Sequence, residues 1–155
     1  MMLNFLDNHD TPRFLRYANG DKDAVLSALA AMVMHPGMPC VFYGTELPID
    51  GGGDPDCRKT FDWTYRGQDK NYIEKFKQIL RLKKQAALQT GDFSARAEHG
   101  LLALERRVNG QRMTAYFNQT ENSAACAITG KTIFENRCER EKILPGGVKI
   151  LERGA

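Results

Sequence analysis

The apolar residues of this chain change period near residue 91, and that change limits the fold more than any other feature. Before it they recur every three or four positions: Val25, Leu26, Leu29, Met32 and Val33, and later Ile73, Phe76, Ile79 and Leu80. These spacings predict two helices, one after the Asn19-Gly20 turn with Asp21 as its cap and one over about Lys70 to Ala86. Beyond Gly91 the period is two. Leu102, Leu104, Arg106 and Val108 run into Asn109-Gly110, and Met113, Ala115 and Phe117 run out of it. Asn-Gly between alternating runs is a strong hairpin signal. Shorter strands are expected at Ser94 to Glu98, Ala124 to Ile128, Thr132 to Phe134 and, after Pro145-Gly146-Gly147, Val148 to Glu152. The expectation is two units: an α/β segment over 1–90, then a small antiparallel sheet or sandwich over 91–155.

The first unit has an order of its own. Met1 to Phe5 can form a short buried strand, the helix after Asp21 ends at His35-Pro36-Gly37, and Pro39 to Tyr43 reads as a second apolar strand. Strand, helix, strand implies a parallel crossover. At the end of the first strand stands Asn8-His9-Asp10, a carboxylate, an imidazole and an amide where α/β sheets place their sites. An ordinary polar turn, with Asp10 or Thr11 capping a helix, explains the same residues.

After the second strand no periodic segment appears from Gly44 to about Asp69, a length of loop that is usually functional or disordered. Its centre reads Asp50-Gly-Gly-Gly-Asp-Pro-Asp-Cys-Arg58. The pattern of a phosphate loop is absent and the acids would repel an anion. The acid spacing and closing Glu of an EF-hand calcium loop are absent too. Two readings remain: a surface Ω-loop, or glycines that let the loop fold back and bring Asp54 and Arg58 beside His9 and Asp10. Such a mixture of acid and base suits neutral hydroxyl groups, hence a sugar.

Composition narrows the alternatives. With 155 residues, 42% apolar and 26% charged, the chain can bury a core. Its net charge of +3 is mild, and the basic run Lys75 to Lys84 carries apolar residues at helical spacing, so a solvated helix face is expected and nucleic acid is not a partner. Cys40, Cys57, Cys126 and Cys138 form no Cys-x-x-Cys pair, which suggests free thiols in a reducing compartment. No metal or cofactor is expected. Neither a signal peptide nor an apolar run of about 20 residues is visible, so a soluble, cytoplasmic chain without a membrane partner is expected.

Three stretches carry a family resemblance: Phe5-Leu-Asp-Asn-His-Asp10, Pro36-Gly-Met-Pro-Cys-Val-Phe-Tyr-Gly-Thr-Glu46 and Gly52-Gly-Asp-Pro-Asp-Cys-Arg-Lys59. Their order and spacing resemble the end of the catalytic barrel of the α-amylase family of glycoside hydrolases. The Asp-Pro-Asp-Cys-Arg-Lys loop is similar to the neopullulanase, cyclomaltodextrinase and maltogenic amylase branch. The resemblance covers roughly residues 3 to 85. It implies the last two βα units of a (β/α)8 TIM barrel, strand seven to helix eight, followed by the family's β-sandwich. It implies Asp10 as the carboxylate that stabilises the transition state, and His9, Asp54 and Arg58 as sugar contacts. Where the branch often has Gly-Gly-Asn-Asp, this chain has Gly52-Gly53-Asp54.

In that family the nucleophile and proton donor lie on earlier strands that this sequence does not contain. The resemblance therefore implies a carboxyl-terminal fragment of an α-glucan hydrolase, inactive alone, with an α-glucan or maltooligosaccharide as the parent's substrate and the missing barrel chain as a possible partner. The alternative is a non-catalytic carbohydrate-binding or interaction module.

Overall fold

The computed structural model describes residues 2–64 and 69–154. Met1 of the expected first strand, residues 65–68 of the expected long loop and residue 155 lie outside them. The elements run β1 (Leu3–Asn4), α1 (Phe14–Tyr17), α2 (Lys22–Met34), β2 (Met38–Pro39), a 3₁₀ turn (Asp56–Arg58), α3 (Lys70–Leu82) and α4 (Ala86–Thr90), then β3 (Asp92–Glu98), β4 (Leu101–Val108), β5 (Gln111–Phe117), β6 (Ala124–Ala125), β7 (Lys131–Glu139) and β8 (Lys142–Arg153).

β1 and β2 are parallel, Leu3 opposite Met38 and Asn4 opposite Pro39, and form a sheet of their own. The expected burial of the first strand is not found. Met2, Leu3 and Phe5 are 68, 64 and 54% exposed, because α2 lies against one side of this small sheet and among the described residues no further strand pairs with it. The second strand is shorter than expected. After the Cys40 N–H donates to the Asn4 carbonyl, at 2.7 Å, the chain turns through Gly44, whose φ of +87° suits glycine.

α2 begins as its sequence predicts. The Asp21 carboxylate accepts from the N–H groups of Asp23 and Ala24 at 3.0 and 3.1 Å, which supplies two orphan donors of the first turn. The helix is buried on more than one face, with Val25, Leu26, Leu29, Ala30 and Val33 all inaccessible, because it packs against α3 on one side and the large sheet on the other.

α3 departs from expectation in its face and its end. Phe76 and Ile79 of the expected stripe are buried, but they are joined by Tyr72 and Leu82, while Ile73 and Leu80 are only half-buried. It stops at Leu82, where three successive N–H groups from Lys83 to Gln85 donate three residues back. That tighter turn redirects the chain, so α4 can bury Ala87 and Leu88.

The carboxyl-terminal strands form one continuous antiparallel sheet, ordered β3-β4-β5-β8-β6 with β7 also on β8, rather than two separate sheets. Asn109-Gly110 makes the expected two-residue hairpin, with φ of +46° and +80° and Val108 opposite Gln111. His99-Gly100 makes a second one of the same kind, Glu98 opposite Leu101. The last strand is longer than expected. β8 starts at Lys142 and passes through Pro145-Gly146-Gly147 instead of starting after it, with bulges in its pairing to β7 between Thr132 and Phe134 and between Asn136 and Cys138. A bulged strand bends, and β8 pairs with three partners along its length.

Both faces of this sheet are consequently apolar. Leu104, Met113, Ala115, Phe117, Val148 and Ile150 join α2 and α3 in one core. Leu101, Ala103, Tyr116, Ile143 and Leu151 fill the other face, inside the curl. Polar contacts fasten the helices to the sheet: Arg137 donates to both Asp21 oxygens at 2.7 and 2.6 Å, Asn136 to the Asp23 carbonyl at 2.9 Å, and Ser27 to the Gly146 carbonyl at 2.7 Å. Arg106, on the core-facing side of β4, is buried without a carboxylate and donates to the carbonyls of Gly91 and Met34.

Candidate functional site

Residues 7–13 follow β1 as a polar loop whose shape is set by the side chains of Asn8, half-buried, and Asp7, buried. Asn8 Oδ1 accepts from the Asp10 and Thr11 N–H groups at 2.7 and 3.0 Å, an Asx turn that raises His9 and Asp10 to the surface. Asp7 is buried. One of its oxygens accepts from the Phe14 N–H at 2.5 Å and the other from the Thr45 hydroxyl at 2.6 Å. The first contact serves the start of α1, so the cap comes from Asp7 and not from Asp10 or Thr11. The second ties the loop after β1 to the turn after β2.

The glycine-rich loop lies against this platform. Arg58 Nε donates to the His9 carbonyl at 2.8 Å, and the Cys57 thiol donates to the same oxygen at 3.2 Å. Arg58 also pairs with Asp54 at 3.0 Å and reaches Asp10 at 3.4 Å, while His9 Nε2 lies 3.2 Å from Asp10 Oδ1. His9, Asp10, Asp54 and Arg58 thus form one cluster, assembled from two loops some 48 residues apart in sequence. All four side chains are about half exposed or more, so their mutual attraction is screened by water and each is free to exchange it for a ligand. Two carboxylates, a guanidinium and an imidazole supply acceptors and donors side by side, a set matched to vicinal hydroxyl groups. Behind them Asp56 accepts from the Gly52 N–H and pairs with Lys59, and these contacts hold its carboxyl below the usual range.

Gly51 is the one of the three glycines whose missing side chain is demanded by packing. A Cβ there would stand 2.8 Å from the Asp56 carbonyl oxygen and 3.1 Å from Arg13 Cγ. Arg13 itself, which sequence reasoning missed, is fully buried. Its Nε donates to the Cys57 carbonyl at 2.9 Å, its Nη1 to the Tyr43 carbonyl at 2.7 Å, and its guanidinium lies over the rings of Phe42 and Tyr43. The only signal was its place three residues after Asp10, and an arginine there reads as surface. Tyr72, also missed, donates to the Thr45 carbonyl at 2.8 Å, and its phenol pKa is raised by burial and by the charges of Asp7 and Glu46. Among the described residues no group of three or more His, Cys, Asp or Glu is arranged to hold a metal ion, and no helix is long and apolar enough to cross a membrane. The four cysteines are unpaired.

No family model matches the chain. Among curated proteins it is 42% identical over 94 residues to a cyclomaltodextrinase of a Bacillus species, a match covering 60% of this chain and 17% of that protein. It is 39% identical over 85 residues to the intracellular maltogenic amylase of Bacillus subtilis, covering 55% of this chain and 14% of the relative. With neopullulanase 2 of Thermoactinomyces vulgaris it shares 32% identity over 119 residues, covering 74% and 20%. Two solved structures share its fold over 99% of its length. The cyclic α-maltosyl-(1→6)-maltose hydrolase of Arthrobacter globiformis aligns with a TM-score of 0.80 at 24% identity, over 35% of its own chain. The Anoxybacillus α-amylase aligns with a TM-score of 0.78 at 24% identity, over 38% of its chain.

The class to which the chain is similar is therefore the α-amylase family of glycoside hydrolases. Within that class its curated relatives are cyclomaltodextrinases, maltogenic amylases and a neopullulanase, and the chain spans between 14 and 20% of the length of the three described above.

Proposed function

We propose that this chain is the carboxyl-terminal part of an α-glucan-hydrolysing, retaining glycosidase of the neopullulanase and cyclomaltodextrinase type. The observation that carries the proposal is the cluster of His9, Asp10, Asp54 and Arg58, set on the loops that follow two parallel strands, in a chain whose relatives bear those names. Residues 1–90 would be the last two βα units of a (β/α)8 barrel, with 91–155 as the attached β-domain. The exposed apolar surface of β1 and β2 fits strands that once lay inside a closed barrel, where both faces of a parallel sheet are covered.

In this reading Asp10 accepts hydrogen bonds from ring hydroxyls, and these strengthen as the sugar flattens toward an oxocarbenium-like state. His9 contacts the same ring, and Asp54 and Arg58 line the neighbouring part of the subsite. A retaining glycosidase also needs a nucleophilic carboxylate and a proton donor about 5 Å apart flanking the bond. Those two groups would come from the earlier strands of the parent enzyme. The substrate would be an α-glucan or maltooligosaccharide, the compartment the cytoplasm, as the name of the intracellular Bacillus subtilis relative suggests, and no cofactor would be needed.

The test is complementation. The chain alone releases no reducing sugar from cyclodextrin or pullulan, whereas its fusion to the preceding barrel strands of the Bacillus cyclomaltodextrinase does. Hydrolysis by the isolated chain above a mock preparation would remove the proposal, and so would a folded but inert fusion.

A further inference from the structure

The four surface side chains of the candidate site cannot hold one another in place. Exposed ion pairs contribute about 0–1 kcal/mol, and those of Arg58 are of this kind. Something beneath them must fix the glycine-rich loop against the loop after β1. Beside the bonds of Cys57 and Arg58 to the His9 carbonyl and of the Tyr43 hydroxyl to the Lys59 carbonyl, three further contacts converge on one buried residue. The Arg13 N–H donates to the Gly51 carbonyl at 2.9 Å, its Nε to the Cys57 carbonyl at 2.9 Å, and its Nη1 to the Tyr43 carbonyl at 2.7 Å. Arg13 therefore grips the glycine-rich loop at two points and the end of the β2 segment at a third. Its Cζ lies 4.4 Å from the centre of the Phe42 ring and 4.9 Å from that of Tyr43, which orients the plane of the fork.

We propose that Arg13 is the positioning residue of this site: by joining the Cys57 carbonyl to the Tyr43 carbonyl from below, its guanidinium places Asp54 and Arg58 beside His9 and Asp10, while the main-chain bond to Gly51 is one that any residue but proline would make. The purpose of the cluster rests on the sugar-binding reading, but the placement does not. Removing the fork frees the loop while leaving the core of helices and curled sheet intact, because none of the contacts named involves that core. Lysine, with one compact ammonium, can reach one carbonyl but cannot span two in a fixed plane.

The cysteines supply the measurement. Cys57 is buried within the loop, Cys126 is buried against the curled sheet, and Cys40 is exposed. Native-state alkylation with iodoacetamide, followed by mass spectrometry of the peptides, reads loop release, global unfolding and full reactivity in one sample. In Arg13→Met the labelling of Cys57 rises at least tenfold while that of Cys126 does not change, and Arg13→Lys restores part of the protection. Gly51→Ala, which pushes the same loop away from Arg13 with the arginine intact, also exposes Cys57. Arg58→Gln, which removes only the surface pairs and the bond to the His9 carbonyl, leaves Cys57 protected.

If Arg13→Met does not fold, Arg13→Lys and Gly51→Ala carry the comparison. A protected Cys57 in the Arg13 variants would overturn the proposal, as would equal exposure of Cys57 and Cys126, or an Arg58→Gln variant that exposes Cys57 as much as Arg13→Lys does. No sugar enters the measurement, so a failed complementation leaves its outcome standing and a failed labelling result leaves the sugar reading standing.

Discussion

Asp7 and Asp10 stand three residues apart in one loop, with opposite surroundings and opposite expected responses to substitution. Asp7 is buried and accepts from Phe14 N–H and the Thr45 hydroxyl. Thr45 Oγ1 also lies 2.8 Å from the Phe42 carbonyl, so without Asp7 its single proton has another acceptor. The Phe14 N–H has none, and an unsatisfied buried donor costs about 1–3 kcal/mol. Asp7→Ala should accordingly lower unfolding stability by about 2 kcal/mol in urea melts. Asp10 is exposed, and Asp10→Asn should leave those melts unchanged. In the barrel-completed enzyme the same substitution should lower kcat/KM about a hundredfold, with kcat taking most of the loss, because a contact made chiefly in the transition state has been weakened. A kcat within about threefold of the parent, worth under ~1 kcal/mol, would return Asp10 to the status of a turn residue. The family resemblance already set Asp10 apart from Asp7, and the folded loop shows the physical difference: Asp7 faces inward and Asp10 outward.

Among the elements, the curled sheet carries the clearest electrostatic consequence. Glu105 is nearly buried on β4, among Arg107 at 2.9 Å, Arg96 at 3.2 Å and Arg112 at 3.6 Å. Arg107 and Arg112 are direct cross-strand partners, a repulsive arrangement unless an anion separates them. Burial pushes the Glu105 carboxyl up, but the Arg107 hydrogen bond and the charges of Arg112 and Arg96 outweigh it, and the pKa lies below the ordinary value. A carboxylate with a depressed folded pKa contributes stability that is present above its unfolded value, about 4.3, and is lost as pH falls through the folded value. Glu105→Gln should cost about 1–2 kcal/mol at pH 7. In urea melts that difference should shrink toward zero below about pH 4; a difference constant down to pH 3 would assign the loss to shape and not charge. Regular periods made α2, the β4–β5 hairpin and its Asn109-Gly110 turn legible. What escaped were elements set by partners. The reach of β8 through Pro145-Gly146-Gly147 depends on bulges opposite β7, the end of α3 depends on where α4 must pack, and Arg13 acquires its role only when residues 43 and 57 arrive beside it. Local patterns encode none of those meetings.

At the scale of the whole molecule, burial is uneven in a way that predicts uneven stability. α2 shares one core with α3 and the large sheet, and the sheet is covered on its other face by its own curl. β1 and β2 have neither advantage. They are two residues each, both are edges, and Met2, Leu3, Phe5, Met38, Val41 and Tyr43 beside them are exposed apolar side chains. Unpaired strand edges beside a contiguous apolar surface favour association with another chain. Opening free energies follow buried contacts and hydrogen bonds, so they should fall into two groups. Amides of β4, β5 and the second half of β8, together with those of α2, should exchange only through global unfolding. Amides of residues 2–14 and 36–64 should exchange through openings at least ~2–3 kcal/mol cheaper, with Arg13 and Phe14 slowest among their neighbours because the Gly51 carbonyl and the Asp7 carboxylate accept from their N–H groups. Light scattering on the same sample should show mass rising with concentration as the apolar edge finds a second copy, and addition of the preceding barrel strands should suppress that rise and slow exchange at residues 2–13 together. Uniform, strong protection from residue 3 to residue 85 in a monomer would mean that β1 and β2 are stable without further strands, and the barrel reading of this half would then lose its physical basis.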